Sequence, residues 1–590
     1  MNKFGGVCNL TGLKSPEYYF KNTNTFSKDN CIFTNYTKDV FTLNVEGHIY
    51  SILFLGNIYN YKKLMNNYGW QLSDMSQEEF ILRCYIENKL SDLHEFNGGF
   101  SFAIWDDYNK ELFFARDHMG VKPFYYSISN NTLYMSSSLD ELLNFKSIDK
   151  ILDTQSINEL FGLGPAHTPG TCLFKNVYEL RPAHFGVFNK SGLHIDKYWE
   201  LQSRKHTDDF ETTCDKISYL LEDSINQEMP NTSDFCTMLS GGLDSSIITA
   251  YASKFCKRNN LPNLKTISVD YVDNDKNFVK SDFQPNSDNY YIDIMRKAFN
   301  TEHKTILIDT PELAESLKEA MDARALPGMA DIDSSLLLFC KAIKKDFNIS
   351  ISGECSDEVF SGYPWFFRED ALDSNTFPWS LALNERQEIL NPAISNKISI
   401  KDYVDFRYNE SLDEINFDKN DSIDTVLRKR ITHLTYDWFM QTLVDRAERI
   451  ANFTDLDVLV PFCDYRLVEY LWNIPWEIKA YKGREKGLLR YIVKDLLPTE
   501  IVDRKKSPYP KTHNPTYLNS VKVMLTDILN NSNSPALNLI NKDFVQNIID
   551  TDGKSFTRPW FGQLMTGPQL MAYLIQINMW LQKYQPKLEI

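Results

Sequence analysis

Along the first 200 residues, apolar positions come in short runs broken by Asn, Gly and Asp: Ile49–Phe54, Gly99–Trp105, Glu111–Ala115 and Pro123–Ile128. Short runs spaced by polar turns predict strands of a layered, mostly β domain. Ser203–Asp209 is polar and charged and reads as a linker. Beyond it the period changes. Phe210–Glu228 has helical spacing, and an apolar run from Phe235 leads into a glycine turn. Helix Ser245–Phe255, strand Thr266–Tyr271, helix Tyr290–Phe299, strand His303–Ile308, helix Pro311–Asp322 and strand Ile349–Ile351 follow, with Val272–Asp288 as a polar surface insertion. Such alternation predicts a parallel sheet wrapped by helices, with ligands at the carboxyl ends of its strands. From about residue 365 the pattern is mainly helical, and no internal repeat is evident. The expected class is α/β, with domains at 1–203 and 204–590.

Composition narrows the function classes. With 590 residues, 43% hydrophobic and 13% aromatic, the chain can fill large cores. A net charge of −16 gives no support to a nucleic-acid partner. No apolar run reaches the length of a membrane span, and Met-Asn-Lys-Phe-Gly-Gly-Val lacks the apolar core of a signal peptide. The ten cysteines include no Cys-x-x-Cys pair and the ten histidines do not cluster. Neither a zinc site nor a disulfide framework is expected, and a reducing cytoplasm is the default. Cys8 reads as core filler.

The candidate chemistry starts at Ser240-Gly241-Gly242-Leu243-Asp244-Ser245-Ser246. Two glycines let backbone N–H groups approach an anion, the serines add hydroxyl donors, and the next helix points its N-terminus at the same place. Asp244 fits an anion cradle only if a cation shares it, so the loop suits a Mg²⁺-bound polyphosphate. No Gly-Lys-Ser/Thr follows, so this is not a Walker A loop. A second turn, Ser352-Gly353-Glu354-Cys355-Ser356-Asp357-Glu358, repeats the placement of glycine and carboxylates after a strand. Asp357 could share the metal with Asp244, and Glu354 could act as base on an incoming amine. The basic stretches Gly483–Arg490 and Arg504–Ser507 could neutralise departing pyrophosphate.

The heptad resembles the pyrophosphate loop of ATP pyrophosphatases. The second turn resembles the Ser-Gly-Glu-Gly-x-Asp-Glu segment of asparagine synthetases, with Cys355 in place of Gly; Leu326–Ser335 and Tyr363–Phe366 look like the clostridial and bacillar branch. Phe96–Asp106 and Ala115–Pro123 look like the glutaminase domain of class II glutamine amidotransferases, an Ntn-type αββα sandwich, and Gly164–Gly170 with Tyr198-Trp199 is similar to its end in asparagine synthetases. The resemblance implies ATP and Mg²⁺, backbone contacts to adenine near Leu239, Val269 and Gly353, phosphate contacts from the 240–246 loop and Ser352, and a catalytic loop lysine at Lys506.

Four departures fall on the glutaminase side. Asn2 stands where an N-terminal cysteine is required, and Leu55 where an asparagine donates to the oxyanion. Gln77 replaces the aspartate that holds the glutamine amine, and no arginine precedes Arg83 to grip its carboxylate. Together they predict a domain that does not hydrolyse glutamine. A fifth departure, Leu459 for the arginine of Glu-x-Arg-x-Pro-Phe, predicts an acceptor other than free aspartate. The reading is an ATP-dependent amide-bond synthetase that activates a small-molecule or peptide carboxylate as acyl-adenylate and transfers it to ammonia or an amine. A homodimer is compatible with it. Amide cyclisation of the β-lactam synthetase or lasso cyclase kind, and a non-catalytic nucleotide-binding paralogue, are the alternatives.

Overall fold

The computed structural model describes residues 3–21, 24–70, 74–230, 232–274, 287–507, 509 and 514–590. Asn2 and most of the polar insertion lie outside them. The chain divides into two compact units, one of residues 1–151 and 168–201, the other of 152–167 and 202–590.

The first unit holds two six-stranded antiparallel sheets. Strand His48–Ile58 shows why they stack. Its side chains alternate between faces with the period of two of an extended chain. Leu53 and Leu55 face Phe4, Trp105, Phe114 and Phe124 between the sheets. Ile52, Phe54 and Ile58 face Phe80, Ile81 and Phe100 beneath helix Gln77–Asn88. That helix starts at Ser76, whose hydroxyl accepts the Glu79 N–H at 3.2 Å, with Glu78 and Glu79 in its positive first turn. A short helix, Leu139–Leu142, packs on strand Thr132–Ser136 of the other sheet, completing a helix–sheet–sheet–helix stack. Cys8 is buried between the sheets, opposite Cys31 in register.

The Ala115–Pro123 segment is an internal turn. Asp117 accepts backbone N–H groups of Phe100, Met119, Val121 and Lys122 at 2.9–3.1 Å. Arg116 donates to the carbonyls of Lys122, Leu180 and Gly120. His118 is 3% exposed, set edge-on to Tyr198 and Trp199, and burial pushes its imidazole down to about 3. It is therefore neutral in the fold, whereas an unfolded chain takes up the proton near pH 6.5. Stability from this group is present above pH 6.5 and is lost as pH falls toward 3, at up to ~1.4 kcal/mol per unit. Urea unfolding midpoints of the protein and of His118→Gln, taken between pH 7 and 5, are expected to diverge in slope, the wild type falling faster.

In the second unit, five strands lie parallel in the order Glu302–Ile308, Lys265–Tyr271, Phe235–Met238, Ile349–Ile351, Asp457–Leu459. The chain winds outward from Phe235–Met238 in one direction, then returns to build in the other. A crevice opens at such a reversal, outside the strands' carboxyl ends. Strand Asp457–Leu459, only three residues long, is hidden in a stretch whose pattern predicts helix. The single helix expected over Pro311–Asp322 is two, Thr310–Glu315 and Leu317–Arg324, because the backbone at Ser316 turns to ψ −4°. Segment 152–167 contains a π-turn, Glu159–Leu163, whose Phe161 and Gly162 carbonyls accept from the buried Arg386 guanidinium at 2.7 and 2.6 Å. No helix among the described residues is long and apolar enough to cross a membrane.

Candidate active site

The two central strands deliver both glycine turns to the crevice. Helix Leu243–Arg258 begins on the first turn, with Gly242 as its cap. Ser240 Oγ lies 3.1 Å from Ser245 Oγ and accepts the Gly242 N–H at 3.3 Å, so the hydroxyls pin the loop closed. Gly241 has φ +70°, and a Cβ there would come within 2.6 Å of Tyr291. The second turn passes so close to the first that a Cβ on Gly353 would meet the Ser245 N and the Asp244 Cβ at 3.0 Å. Between and beyond them lies a cavity of about 280 Å³.

Its lining brings together nearly every residue singled out in the sequence: Leu239, Ser240, Gly242, Asp244, Ser245, Val269, Ser352, Gly353, Glu354, Asp357 and Lys506. Gly241, Ser246 and Leu459 are not among the lining residues. Ser246 is fully buried and does not line the cavity; one helical position beyond Ser245, its hydroxyl turns into the interior. Leu459 does not line it either. It is buried in its strand, where its carbonyl accepts the Ser352 N–H at 2.9 Å. The guanidinium beside Glu354 in the cavity is that of Arg446, 3.2 Å from Glu354 and over the Tyr509 ring. The argument from Leu459 to the acceptor's identity therefore loses its geometric footing.

The electrostatic centre is a residue the sequence reading left unassigned. Lys486 reaches in from the basic loop and places Nζ 2.6 Å from Asp244 Oδ1 and 2.7 Å from Asp357 Oδ1. Ser356 Oγ also donates to Asp244 Oδ1, at 2.7 Å. Lys506 pairs with the other Asp357 oxygen at 2.5 Å and lies 4.7 Å over the Tyr363 ring. Burial opposes ionisation of Asp357, but Lys486 and Lys506 outweigh it and hold the carboxyl well below its usual range. The adjacent Glu358 has no such neighbours. Burial first, then the charge of Asp357, push it up to about 7, and Oε1 accepts the Tyr363 hydroxyl at 2.5 Å. Arg504 holds the first loop's Ser240 carbonyl at 3.1 Å and pairs with Asp288.

Two carboxylates sharing one ammonium at these distances are the donor set a hard dication takes, and the surrounding Lys486, Lys506, Arg490 and Arg504 suit a polyphosphate. The apolar wall of Leu239, Ile267, Val269 and Ile292 suits a flat base. The residues present thus fit a metal-bound nucleotide. Of the positions expected to be lost in the first unit, Leu55 and Gln77 make structural contacts. Gln77 accepts the Ile58 N–H at 2.6 Å, and Leu55 sits in the inter-sheet core.

Residues 216–582 match the family model described as asparagine synthase, and residues 42–199 that described as glutamine amidotransferase domain. The chain is 43% identical over 544 residues to glutamine-hydrolysing asparagine synthetase 3 of Bacillus subtilis (strain 168), a match covering 92% of this chain and 88% of that protein. It is 24% identical over 554 residues to asparagine synthetase 1 of the same strain, covering 86% and 83%. It is 25% identical over 485 residues to the Gallus gallus asparagine synthetase, covering 78% and 71%.

Proposed function

Because this chain belongs to the asparagine synthase family, we propose that its second unit activates a carboxylate with ATP and releases it as an amide. The observation that carries this reading is the meeting of Asp244 and Asp357 on Lys486, with Lys506 alongside, at the switch point of the parallel sheet. The N–H groups of the 240–246 loop and the Ser240 and Ser245 hydroxyls bind the phosphates. Leu239, Val269 and Gly353 lie against the base. Asp244 and Asp357 would hold Mg²⁺, which would supply neutralising charge to the phosphates. The acceptor carboxylate attacks the α-phosphorus, forming an acyl-adenylate and freeing pyrophosphate, whose charge Lys506 and Lys486 offset as it departs. A nitrogen nucleophile attacks the acyl carbon, Glu354 takes its proton, and AMP leaves. Arg446 holds Glu354 in place.

Aspartate is the first acceptor to test, since the similar proteins named above are asparagine synthetases. ATP–pyrophosphate exchange that appears only with a particular carboxylate supports the reading. Its absence across a panel of amino acids and peptide carboxylates refutes it.

The nitrogen does not come from glutamine cleaved in this chain. Leu55 has no side-chain donor, Gln77 is committed to the Ile58 backbone, and Asn2 is no thiol. With saturating ATP and acceptor, ammonium is expected to support AMP formation, while glutamine yields no glutamate above a protein-free blank. Steady glutamate release would restore an active glutaminase.

A further inference from the structure

We propose that Cys355 and Cys463 form a reversible disulfide that sets the conformation of the loop carrying Glu354 and Asp357. The consequence for activity rests on the function proposed above; the bond itself does not. Sequence spacing hid the pair, because 108 residues separate the two cysteines. Topology brings them together. Strands Ile349–Ile351 and Asp457–Leu459 are parallel neighbours with Ile351 opposite Leu459, and each cysteine lies four residues beyond its member of that pair. The two sulfurs are bonded across a Cα separation of 6.0 Å, within the span a disulfide bridges. This overturns the expectation that no cysteines pair.

The position of Cys355 gives the bond a lever. It caps the short helix Ser356–Val359 at φ +73°, a left-handed conformation that disfavours a side chain. Glu354 precedes it and Asp357 follows two residues later. The other end is anchored. Cys463 closes the turn Pro461–Cys463, where the Pro461 carbonyl accepts from Ser224 Oγ at 2.7 Å and Phe462 packs edge-on to Phe360. The bond thus holds Cys355 in a backbone state it would otherwise tend to leave. Cys355 is 1% exposed whereas Cys463 is partly exposed, so Cys463 is the entry point. Its thiolate attacks a low-molecular-weight disulfide of the glutathione class, RS–SR, and expels one RS⁻. The Cys355 thiolate then attacks the Cys463 sulfur and expels the second. The cysteine pair loses two electrons, RS–SR is reduced, and the two thiol protons leave in two RSH.

The test takes the full-length protein through a series of reduced-to-oxidised glutathione ratios, blocks free thiols and maps peptides. Cys355 and Cys463 are expected to lose label together and to appear cross-linked, reversibly. ATP–pyrophosphate exchange is expected to be about fivefold higher at the oxidised end, the population ratio of a backbone state disfavoured by about 1 kcal/mol. Cys463→Ser should abolish this redox response. Cys355→Gly should hold exchange near the oxidised level at every ratio, because glycine adopts the left-handed state freely. Independent labelling of both thiols at the most oxidising ratio overturns the proposal, as does a full redox response in Cys463→Ser. If no exchange is seen under any condition, the proposed function fails and the peptide map still decides the bond.

Discussion

Asp244→Ala and Asp357→Ala are each expected to reduce ATP–pyrophosphate exchange by about 10³-fold or more, with the double variant little worse than either single one. The two side chains meet on the same Lys486 Nζ and would act as one unit on one dication. Removing either leaves a two-legged site without a leg, and losing the second costs little more. The same deletion has a structural cost, since Lys486 is 4% exposed on its side chain and breaking a buried pair destabilises by ~3–5 kcal/mol. Asp244→Asn and Asp357→Asn keep the volume and separate the two effects. Melting curves should show them folded, and exchange should still be lost. Near-wild-type exchange in any single variant would remove these carboxylates from metal binding.

What the sequence disclosed followed from local pattern. Both glycine turns were legible because each sits at a strand-to-helix junction, where apolar runs frame the polar residues. The sandwich of the first unit was legible from its short strands. Features that depend on distant parts of the chain meeting were not legible. Lys486 lies 242 residues from Asp244, and nothing in a basic loop says which of its cations turns inward. Leu459 illustrates the opposite error. A residue that breaks a motif suggests a changed acceptor, yet its place in an unpredicted three-residue strand buries it beside Ser352. The cysteine pair was hidden for the same reason, since strand adjacency and not spacing aligns its two turns.

Lys486→Met is expected to lower exchange by about 10²–10³-fold, to lower stability at neutral pH and to flatten its loss in acid. Lys486 is enclosed: a Cβ on Gly362 would come within 2.5 Å of its Cε, and its own backbone has φ +53°, followed by Gly487, which allows only 2.2 Å between an added Cβ and the Tyr481 carbonyl. This backbone geometry aims the ammonium between two carboxylates, and they in turn raise its pKa against the opposing effect of burial. Methionine keeps most of the length and removes the charge. Asp244 and Asp357 then face each other without the ammonium between them, so the Asp357 carboxyl, still paired with Lys506, rises from its depressed value. The sign follows from linkage. A depressed carboxyl contributes stability above its unfolded pKa near 4, and loses it as pH falls through the folded value. Raising the folded value shrinks that contribution, so the variant is less stable at neutral pH and has less stability to lose as pH falls below the unfolded pKa. Urea midpoints should therefore start lower at pH 7 in the variant and fall less than those of the wild type between pH 5 and 3. Mg²⁺ without nucleotide should recover part of the lost stability in Lys486→Met and add little to the wild type, because a dication can take the place of the ammonium between the same oxygens. A variant with wild-type exchange, an unchanged acid limb and no response to Mg²⁺ would reduce Lys486 to a structural bystander.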